Sequence, residues 1–490
     1  METAAHPGNL RRIAIDPLSR VEGHGKVTIM LDDKNRVHQV RLHVVEFRGF
    51  EKFIQGRPYW EVPVMVQRLC GICPVSHHLA SSKAMDAIVG AKHLTPTADR
   101  IRRLMHYGQI LQSHALHFFH LGSPDLLFGF DSEIGRRNLM GLAEKYPETA
   151  RRGILLRKFG QEVIHHTAGK RVHGTGSVPG GVNKSLSIGE RDGLRKDIDQ
   201  ILAWSRDAVG MVKEMHQHNA GLYDSFGAFP GNFMSLVGLN GQLELYQGSL
   251  RCRNASGHIL FDDYDCQNYN QLISEEVKSW SYMKFPYLKS QGSTHGWYRV
   301  GPLSRIQNCD CIATPLAEIE RREFVSYNGN MPTHAPLAYH WARMIEMLHA
   351  AEVIKELLHD DDIIGSELAT SGARGFEGVG VIEAPRGTLI HHYRVDENDL
   401  VSMCNLIVST THNNQAMNEA VLSVARQYLD GREINEGLLN HIEVAVRAFD
   451  PCLSCATHAL GKMPLEVELL DHTGERLSFL SRSREGLFAC

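Results

Sequence analysis

The chain has 490 residues, a formal net charge of -4 and a pI of about 6.7, with 43% apolar and 22% charged residues. These values suit a globular protein with a large core, and there is no basic excess of the kind that binds nucleic acid or anionic membranes. No apolar run is long enough to span a membrane and the N-terminus lacks the apolar segment of a Sec-type signal, so we expect a cytoplasmic location.

The first half of the chain alternates short β patterns with long helical ones. Residues 13–45 alternate around an Asp-Asp-Lys-Asn turn and predict a hairpin. Apolar residues at three-to-four spacing predict helices at 79–89, 98–121, 136–170 and 187–218. Pro124 is expected to end the second of these helices, and Ser187 with Glu190 opens the last as a capping box.

The second half begins with mixed strands, turns and aromatic residues at 225–312, which predict a smaller α/β region. An amphipathic helix is predicted at 338–359, a hairpin bending at 385–387, and helices at 413–429 and 434–447. We find no low-complexity linker and no internal repeat. The predicted fold is mainly α with an α/β periphery: a helical core with small β segments near both ends of the chain.

Two Cys-x-x-Cys pairs stand out because they lie near opposite ends of the sequence. QRLCGICPVSHH (67–78) carries Cys70 and Cys73, and DPCLSCATH (450–458) carries Cys452 and Cys455. The second pair begins 382 residues (452 minus 70) after the first. If the fold joins them, four thiolates can bind one zinc, nickel or iron ion. A structural zinc site is the plain alternative, but zinc pairs usually lie within tens of residues of each other, and a chain of this size needs no metal to stabilise its core. A thioredoxin-like pair lacks its βαβ context.

Both motifs resemble the two signature motifs of the large subunit of nickel–iron hydrogenases. Further blocks resemble the family in the expected order along the whole chain: RVEGHGKV (20–27), FRGFEKFIQGR (47–57), SHALHFFHL (113–121), HGTGSVPGG (173–181) and EAPRGTLIHH (383–392). Within the family, VEFRGFEKF, WSYMKFPYLK and STTHNN are most similar to the cytoplasmic, bidirectional, NAD-linked enzymes.

The resemblance implies the large-subunit fold and the reversible heterolytic splitting of H2 into protons and electrons. It implies a nickel–iron centre whose iron carries carbon monoxide and cyanide, with Cys73 and Cys455 bridging the two metals. The implied nickel ligands are Cys70, Cys73, Cys452 and Cys455. Cys452 is the implied first proton acceptor and Glu22 the proton-relay carboxylate. His77 is a candidate hydrogen-bond donor to a bridging sulfur, or else a core histidine.

Arg386 matches the family's arginine that overhangs the centre, where a planar cation can hold a cyanide nitrogen and polarise the substrate. Asp450 is its implied carboxylate partner. The family often has a second aspartate where this chain has Ser113, a departure that bears on the arginine pairing and on proton handling. Ser409 and Thr410 align with the Pro-Ser pair that cradles a cyanide, and Ser409 departs from that pattern.

A second metal, Mg²⁺, is implied on Glu51 and His458, with a backbone carbonyl at Leu406 as a further ligand. Magnesium prefers oxygen ligands, so a histidine is unusual, and the alternative is that Glu51 caps a local basic cluster. Residues 1–458 are the implied mature catalytic domain. Residues 459–490 resemble an extension that a maturation endopeptidase removes after nickel-insertion proteins have loaded the metal; an ordinary terminal hairpin is the alternative.

Electron transfer and nucleotide binding require other subunits. The six remaining cysteines follow no iron–sulfur spacing, and the glycines at 174, 176, 378 and 380 do not complete a dinucleotide-binding motif. The resemblance implies a small subunit with an iron–sulfur cluster, and diaphorase subunits that bind flavin (FMN) and NAD. The alternatives are a non-catalytic scaffold like the related complex I subunit, which lacks the four cysteines, and a structural zinc protein.

Overall fold

The computed structural model describes residues 11–457, together with the backbone of three strands in the last part of the chain. His458 lies outside the described residues. The helices are α1 Phe50–Ile54, α2 Val62–Met65, α3 Pro74–Ile88, α4 Pro96–Leu116, α5 Ser123–Phe128, α6 Leu139–Lys145, α7 Pro147–Ala168, α8 Ile188–His218, α9 Ala220–Tyr223, α10 Tyr269–Leu272, α11 Gly292–His295, α12 Pro302–Asn308, α13 Pro315–Tyr327, α14 Ala338–His359, α15 Ser409–His412, α16 Asn414–Tyr428 and α17 Glu436–Ala448.

The strands form several small sheets that are almost entirely antiparallel. Their bounds are β1 Arg11–Ile15, β2 Gly25–Leu31, β3 Val37–Val44, β4 Ser177–Val178, β5 Gly181–Val182, β6 Asn232–Val237, β7 Ser249–Arg253, β8 Ile259–Tyr264, β9 Ile273–Glu276, β10 Phe285–Leu288, β11 Tyr298–Arg299, β12 Glu377–Ala384, β13 Gly387–Val395, β14 Val401–Ile407, β15 Leu465–Leu470, β16 Arg476–Ser483 and β17 Gly486–Ala489.

The prediction of a helical core is confirmed, but the predicted placement of strands was incomplete. The strands of the predicted mixed region form a four-stranded sheet β11-β6-β7-β8 in the middle of the chain, and the hairpin predicted to bend at 385–387 is present as β12 and β13. The addition of β14 to this hairpin was not predicted. β12 and β13 are buried along nearly their whole length. A strand that is buried on both faces shows no alternation of polar and apolar residues, so its place in the core is hard to read from sequence.

Helix α14 is the centre of the helical core, packed by α4, α8, α12 and α13. The helix predicted at 338–359 is confirmed, but it is not amphipathic, because every residue of α14 from Ala338 to Glu352 is buried. Polar side chains occur on these buried faces, and they are hydrogen-bonded within the core.

Helix α4 does not end at Pro124 as predicted. Its last turns pass into a π-helical segment, His117–Gly122, and Pro124 lies in the first turn of α5. Proline suits a first helical turn, where its missing N–H has no partner to lose. The capping box at Ser187 and Glu190 is confirmed.

Helix α3 lies directly on β12, and two glycines of the strand make this possible. A Cβ on Gly380 would come within 2.0 Å of the Ala80 carbonyl oxygen, and one on Gly378 within 2.0 Å of that of Ala84. These glycines therefore allow a close helix–sheet contact, which positions the residues at the start of α3.

No helix among the described residues is long and apolar enough to cross a membrane. In the last part of the chain, β15 pairs with β16 and β16 with β17, all antiparallel. The hairpin pattern in this segment is thus confirmed.

Candidate metal centre

The first cysteine pair lies in the short turn that leads into α3. Cys73 is the residue before the first helical turn, and Pro74 begins the helix. The amide groups of Ile72 and Cys73 point at the sulfur of Cys70, at 3.2 and 3.0 Å. This turn therefore directs both sulfurs to one side and surrounds one of them with N–H donors.

The second pair follows α17 and is held by residues from distant parts of the chain. Asp450 has a φ of 54°, a left-handed conformation that reverses the chain just after the helix. The amide of Cys452 donates to the hydroxyl of Thr410 at 2.9 Å. The amide of Leu453 donates to the carbonyl of Glu22 at 2.9 Å. The two ends of the sequence therefore meet here, as the motifs predicted.

The four sulfurs of Cys70, Cys73, Cys452 and Cys455 lie within 4.8 Å of one another, and all four residues are buried. The Cys70 sulfur is 2.9 Å from that of Cys73 and 3.4 Å from that of Cys452. A tetrahedral ion with metal–sulfur bonds of ~2.3 Å separates its sulfurs by about 3.8 Å. The pocket thus fits one thiolate-bound ion after sulfur shifts of under ~1 Å.

Ionisation in this pocket is shared between the thiols. Hydrogen bonds from Cys452, Cys455 and Cys70, with a smaller contribution from His77, hold the pKa of the Cys73 thiol well below its usual value. Burial raises the pKa of Cys452 and of Cys455 well above the usual range. A metal that needs four thiolates must therefore displace protons from this pocket when it binds.

Arg386 lies at the turn between β12 and β13 and is 3% exposed. It donates to Asp450 twice, from Nε to the carbonyl oxygen at 2.6 Å and from Nη2 to Oδ1 at 3.1 Å. Its Nη1 has no hydrogen-bond partner among the described residues. Together with Cys73 and Cys452, Arg386 lines a small cavity. A buried N–H donor left without a partner beside this cavity fits a centre that carries an acceptor such as cyanide.

Arg386 has the one carboxylate partner that the sequence predicted, Asp450. Burial raises the pKa of Asp450 to about 6, against the opposing effect of the Arg386 charge. Ser113 is fully buried, and its hydroxyl has no hydrogen-bond partner among the described residues.

A buried charge network supports the Arg386 turn, and sequence analysis missed it. Arg305 donates to Glu346 and Glu383 and also to the carbonyls of Ala384 and Pro385, the two residues that precede Arg386. The sequence offers only a weak signal for it, a glutamate inside EAPRG. The partners Arg305 and Glu346 come from distant helices without a motif.

Ser409 and Thr410 line the same cavity as Arg386. The Ser409 hydroxyl donates to the Gly387 carbonyl at 2.7 Å, and the Thr410 hydroxyl accepts from the Cys452 amide. In this structure each residue stabilises a stretch of main chain: Ser409 stabilises the turn that carries Arg386, and Thr410 stabilises the loop of the second cysteine pair.

Glu22 lies beside the second cysteine pair and is half-buried. Its carboxylate accepts hydrogen bonds from the hydroxyl of Ser454 and from the Ser454 amide at 3.3 Å. Ser454, which sequence analysis did not single out, stands between Cys452 and Cys455. The structure thus places a carboxylate next to a metal-ligand loop, in a position where it can exchange a proton with solvent.

The implied magnesium ligands are only partly assembled among the described residues. Glu51 is buried and accepts from the Leu406 amide at 3.0 Å. The ammonium of Lys284 lies 3.3 Å from Glu51 and 3.3 Å from Glu275. Burial raises the pKa of Glu51, while Lys284 opposes that effect. Glu51 thus has a cationic partner already, in line with the alternative of a local basic contact, and His458 lies outside the described residues.

Comparison with known proteins identifies the family. A family model described as "Nickel-dependent hydrogenase" matches residues 48–127 and 244–458, and one described as "HoxL-like" matches residues 12–47. The chain belongs to the nickel-dependent hydrogenase family. All four cysteines lie within the matched residues of the first model. The chain is thus a catalytic nickel–iron hydrogenase subunit, and a zinc protein and a non-catalytic scaffold are not favoured.

Individual hydrogenases match the chain over almost its full length. It is 49% identical over 487 residues to the NAD-reducing hydrogenase HoxS subunit beta of Cupriavidus necator, covering 96% of this chain and 100% of that one. It is 40% identical over 468 residues to a polypeptide of the F420-non-reducing hydrogenase vhc of Methanococcus voltae, covering 93% and 96%.

Solved hydrogenase structures share the fold. An NAD+-reducing [NiFe]-hydrogenase in the H2-reduced state matches with a TM-score of 0.90 and 59% identity, covering 91% of this chain and 99% of that one. The Ni-Fe-Se hydrogenase of D. vulgaris Hildenborough matches with a TM-score of 0.74 at 23% identity, which supports the fold alone.

Proposed function

We propose that this hydrogenase subunit splits H2 for an NAD(P)-linked multi-subunit enzyme. The observation that supports this is the 49% identity, over almost the whole chain, to a subunit named as part of an NAD-reducing hydrogenase. The four-cysteine group is the one cysteine cluster of metal-binding geometry among the described residues. Electrons must therefore leave through a partner, a small subunit with an iron–sulfur cluster, and reach NAD on diaphorase subunits that also hold flavin. NAD linkage also implies a cytoplasmic location.

The proposed site roles follow from the contacts around the centre. When bound, a nickel–iron centre with carbon monoxide and cyanide supplies a Lewis acid that also accepts electrons. Cys70, Cys73, Cys452 and Cys455 would hold it. The free Nη1 of Arg386 would donate into the cavity, where burial strengthens the interaction because water is excluded.

Protons would leave on the side of the second cysteine pair. The Cys452 sulfur accepts the proton first, and the carboxylate of Glu22 takes it toward solvent. Ser454 holds that carboxylate by its hydroxyl and its amide. Thr410 fixes the Cys452 amide, and Ser409 fixes the turn that carries Arg386.

A magnesium ion is proposed on Glu51, the Leu406 carbonyl and His458. The support is a buried carboxylate hydrogen-bonded to the Leu406 main chain. The magnesium ion would then replace the ammonium of Lys284 at Glu51, and Lys284 would keep its ion pair with Glu275. Magnesium content of the purified enzyme, compared with a Glu51→Gln variant, tests this assignment.

Removal of residues 459–490 after His458 is also proposed, by an endopeptidase that acts after nickel insertion. The support is that the family match ends at residue 458. The intact mass of the active subunit tests the proposal: a mass that includes residues beyond 458 contradicts it.

The proposed function is tested on the assembled enzyme by metal analysis, by infrared bands of metal-bound cyanide and carbon monoxide, and by H2-dependent reduction of NAD. We expect nickel and iron, both kinds of band, and NAD reduction. Cys452→Ser should abolish H2 turnover, whereas the matched control Cys311→Ser, a partly exposed cysteine outside the centre, should not. Zinc alone, or full turnover in Cys452→Ser, would refute the assignment.

A further inference from the structure

Three buried side chains, Tyr393, His391 and His77, form a hydrogen-bonded line, and the last of them lies next to Cys73. His391 and Tyr393 are alternate residues of β13 and so share one face of the strand. His77 lies on α3, one turn after Cys73, and α3 packs on this sheet. The exposed fractions are 0% for Tyr393 and His391 and 1% for His77, so water does not compete for these contacts.

The distances are those of good hydrogen bonds. The hydroxyl of Tyr393 is 2.6 Å from Nδ1 of His391, and Nε2 of His391 is 3.1 Å from Nδ1 of His77. His77 in turn lines the same cavity as Cys73 and contributes to lowering the pKa of the Cys73 thiol, so its ring lies next to that sulfur. The line therefore uses both ring nitrogens of His391 and leads from a phenol through one imidazole to a second, which lies beside the thiol of Cys73.

The protonation of Tyr393 at one end of the line and of Cys73 at the other determines which atom donates in each hydrogen bond. Burial raises the pKa of Tyr393 well above its usual value, so the phenol keeps its proton and can donate to His391 Nδ1. A neutral imidazole has one N–H, so His391 must then carry its hydrogen on Nε2 and donate to His77 Nδ1. His77 in turn carries its hydrogen on Nε2, the nitrogen left to face Cys73. A metal-bound Cys73 is a thiolate and can only accept, so this arrangement satisfies every member.

We propose that Tyr393 and His391 are positioning residues that hold His77 in the tautomer that donates to the Cys73 thiolate, and that this hydrogen bond reduces the electron density that Cys73 gives to the metal centre. The inference rests on the proposed role of Cys73 as a metal ligand. Hydrogen bonds to ligating sulfurs are a general means by which proteins raise the reduction potential of a metal site.

The test is Tyr393→Phe in the assembled enzyme, because phenylalanine keeps the ring and its edge contact with His391. Without the hydroxyl, His391 and His77 can reverse their tautomers, which turns a lone pair of His77 toward the thiolate. We expect the metal-bound carbon monoxide and cyanide bands to shift to lower wavenumber and the reduction potential of the centre to become more negative, with nickel and iron contents unchanged.

Tyr269→Phe is the matched control. Its hydroxyl is also buried and bonded to a histidine of the same strand, 3.0 Å from Nδ1 of His392, but on the opposite face and with no link to Cys73. This variant should leave the bands in place. His391→Gln added to Tyr393→Phe should restore the wild-type bands, because the glutamine amide can donate to His77 without help from residue 393.

Three results would overturn the proposal: unshifted bands in a fully loaded Tyr393→Phe enzyme, equal shifts in Tyr393→Phe and Tyr269→Phe, or loss of nickel in Tyr393→Phe while Tyr269→Phe loads normally. Loss of nickel would mean that the Tyr393 hydroxyl is needed for the metal site to form, and not for setting the electron density at the metal. A wild-type enzyme without nickel, iron and infrared bands would instead contradict the proposed function, so the two failures are distinguishable.

Discussion

The carboxylate of Glu346 accepts two hydrogen bonds of 2.6 Å from the guanidinium of Arg305, and both side chains are fully buried. Burial alone would raise the pKa of Glu346, but the charge of Arg305 lowers it to about 2. Arg305 also holds the carbonyls of Ala384 and Pro385. The pair thus connects the central helix α14 to the turn that presents Arg386.

Glu346→Gln should destabilise the protein by up to about 3–5 kcal/mol, because the buried Arg305 loses its two-point carboxylate partner and is left with Glu383 as its counter-charge. Chemical denaturation of the assembled enzyme measures the change. Glu148→Gln breaks contacts with Arg151 and Arg152 on the exposed face of α7 and should have little effect, since exposed pairs contribute little. Equal effects in both variants would contradict a structural role for the buried network.

Gly380→Ala should destabilise the contact between α3 and β12, because the added Cβ would meet the Ala80 carbonyl oxygen at 2.0 Å. Since α3 carries His77 and begins directly after Cys73, nickel content should fall along with the thermal unfolding midpoint. Gly193→Ala in α8 is the control: nothing lies within 4 Å of its Cβ, and a helical glycine-to-alanine change stabilises by about 0.4–1 kcal/mol. A Gly380→Ala enzyme with normal stability would show that the strand can shift at no cost.

The signature motifs allowed the sequence to predict which cysteines meet, because the family blocks occur in order along the chain. The capping box and the α16 and α17 helices were also predictable, since caps and amphipathic patterns are local signals. The environment of α14 was not, because a helix buried on every face has no polar side to reveal it. In the sequence, Gly378-x-Gly380 forms only an incomplete nucleotide-binding motif. Its actual role depends on a helix about 300 residues away in sequence (380 minus 80 is 300, and 378 minus 84 is 294).

Buried neutral histidines should make stability depend on pH. Burial lowers the pKa of His349 to about 4 and that of His106 to about 3, from a usual 6.5. Below pH 6.5 the unfolded chain binds protons that the folded chain excludes, so stability is complete above pH 6.5 and falls as the pH drops toward 4. Each such histidine contributes about 1.4 kcal/mol per pH unit within this window.

His349→Gln removes one of these groups and keeps a side chain that can bond to Thr314, the present partner at 2.8 Å. Between pH 6.5 and 4, unfolding of the variant should take up about one proton fewer than unfolding of the wild type. The slope of the unfolding free energy against pH, measured by denaturation, should therefore fall by about 1.4 kcal/mol per pH unit. The same slope in the variant and the wild type would mean that His349 is protonated in the folded state as readily as in the unfolded chain.

Glu22→Gln tests the proton exit beside the second cysteine pair. Glutamine keeps the size of the side chain and can still accept from Ser454, so the metal-binding loop should remain in place. It cannot take up a proton at neutral pH, and loss of a positioned general base typically costs about 10²–10⁴-fold in rate. We expect H2 turnover to decrease by a factor in that range, while the nickel content, the iron content and the infrared bands stay at wild-type values. Glu46→Gln, which removes the half-buried carboxylate partner of the exposed His24, should leave turnover intact. Because metal content is measured separately, full turnover in a loaded Glu22→Gln enzyme would exclude Glu22 as the proton relay.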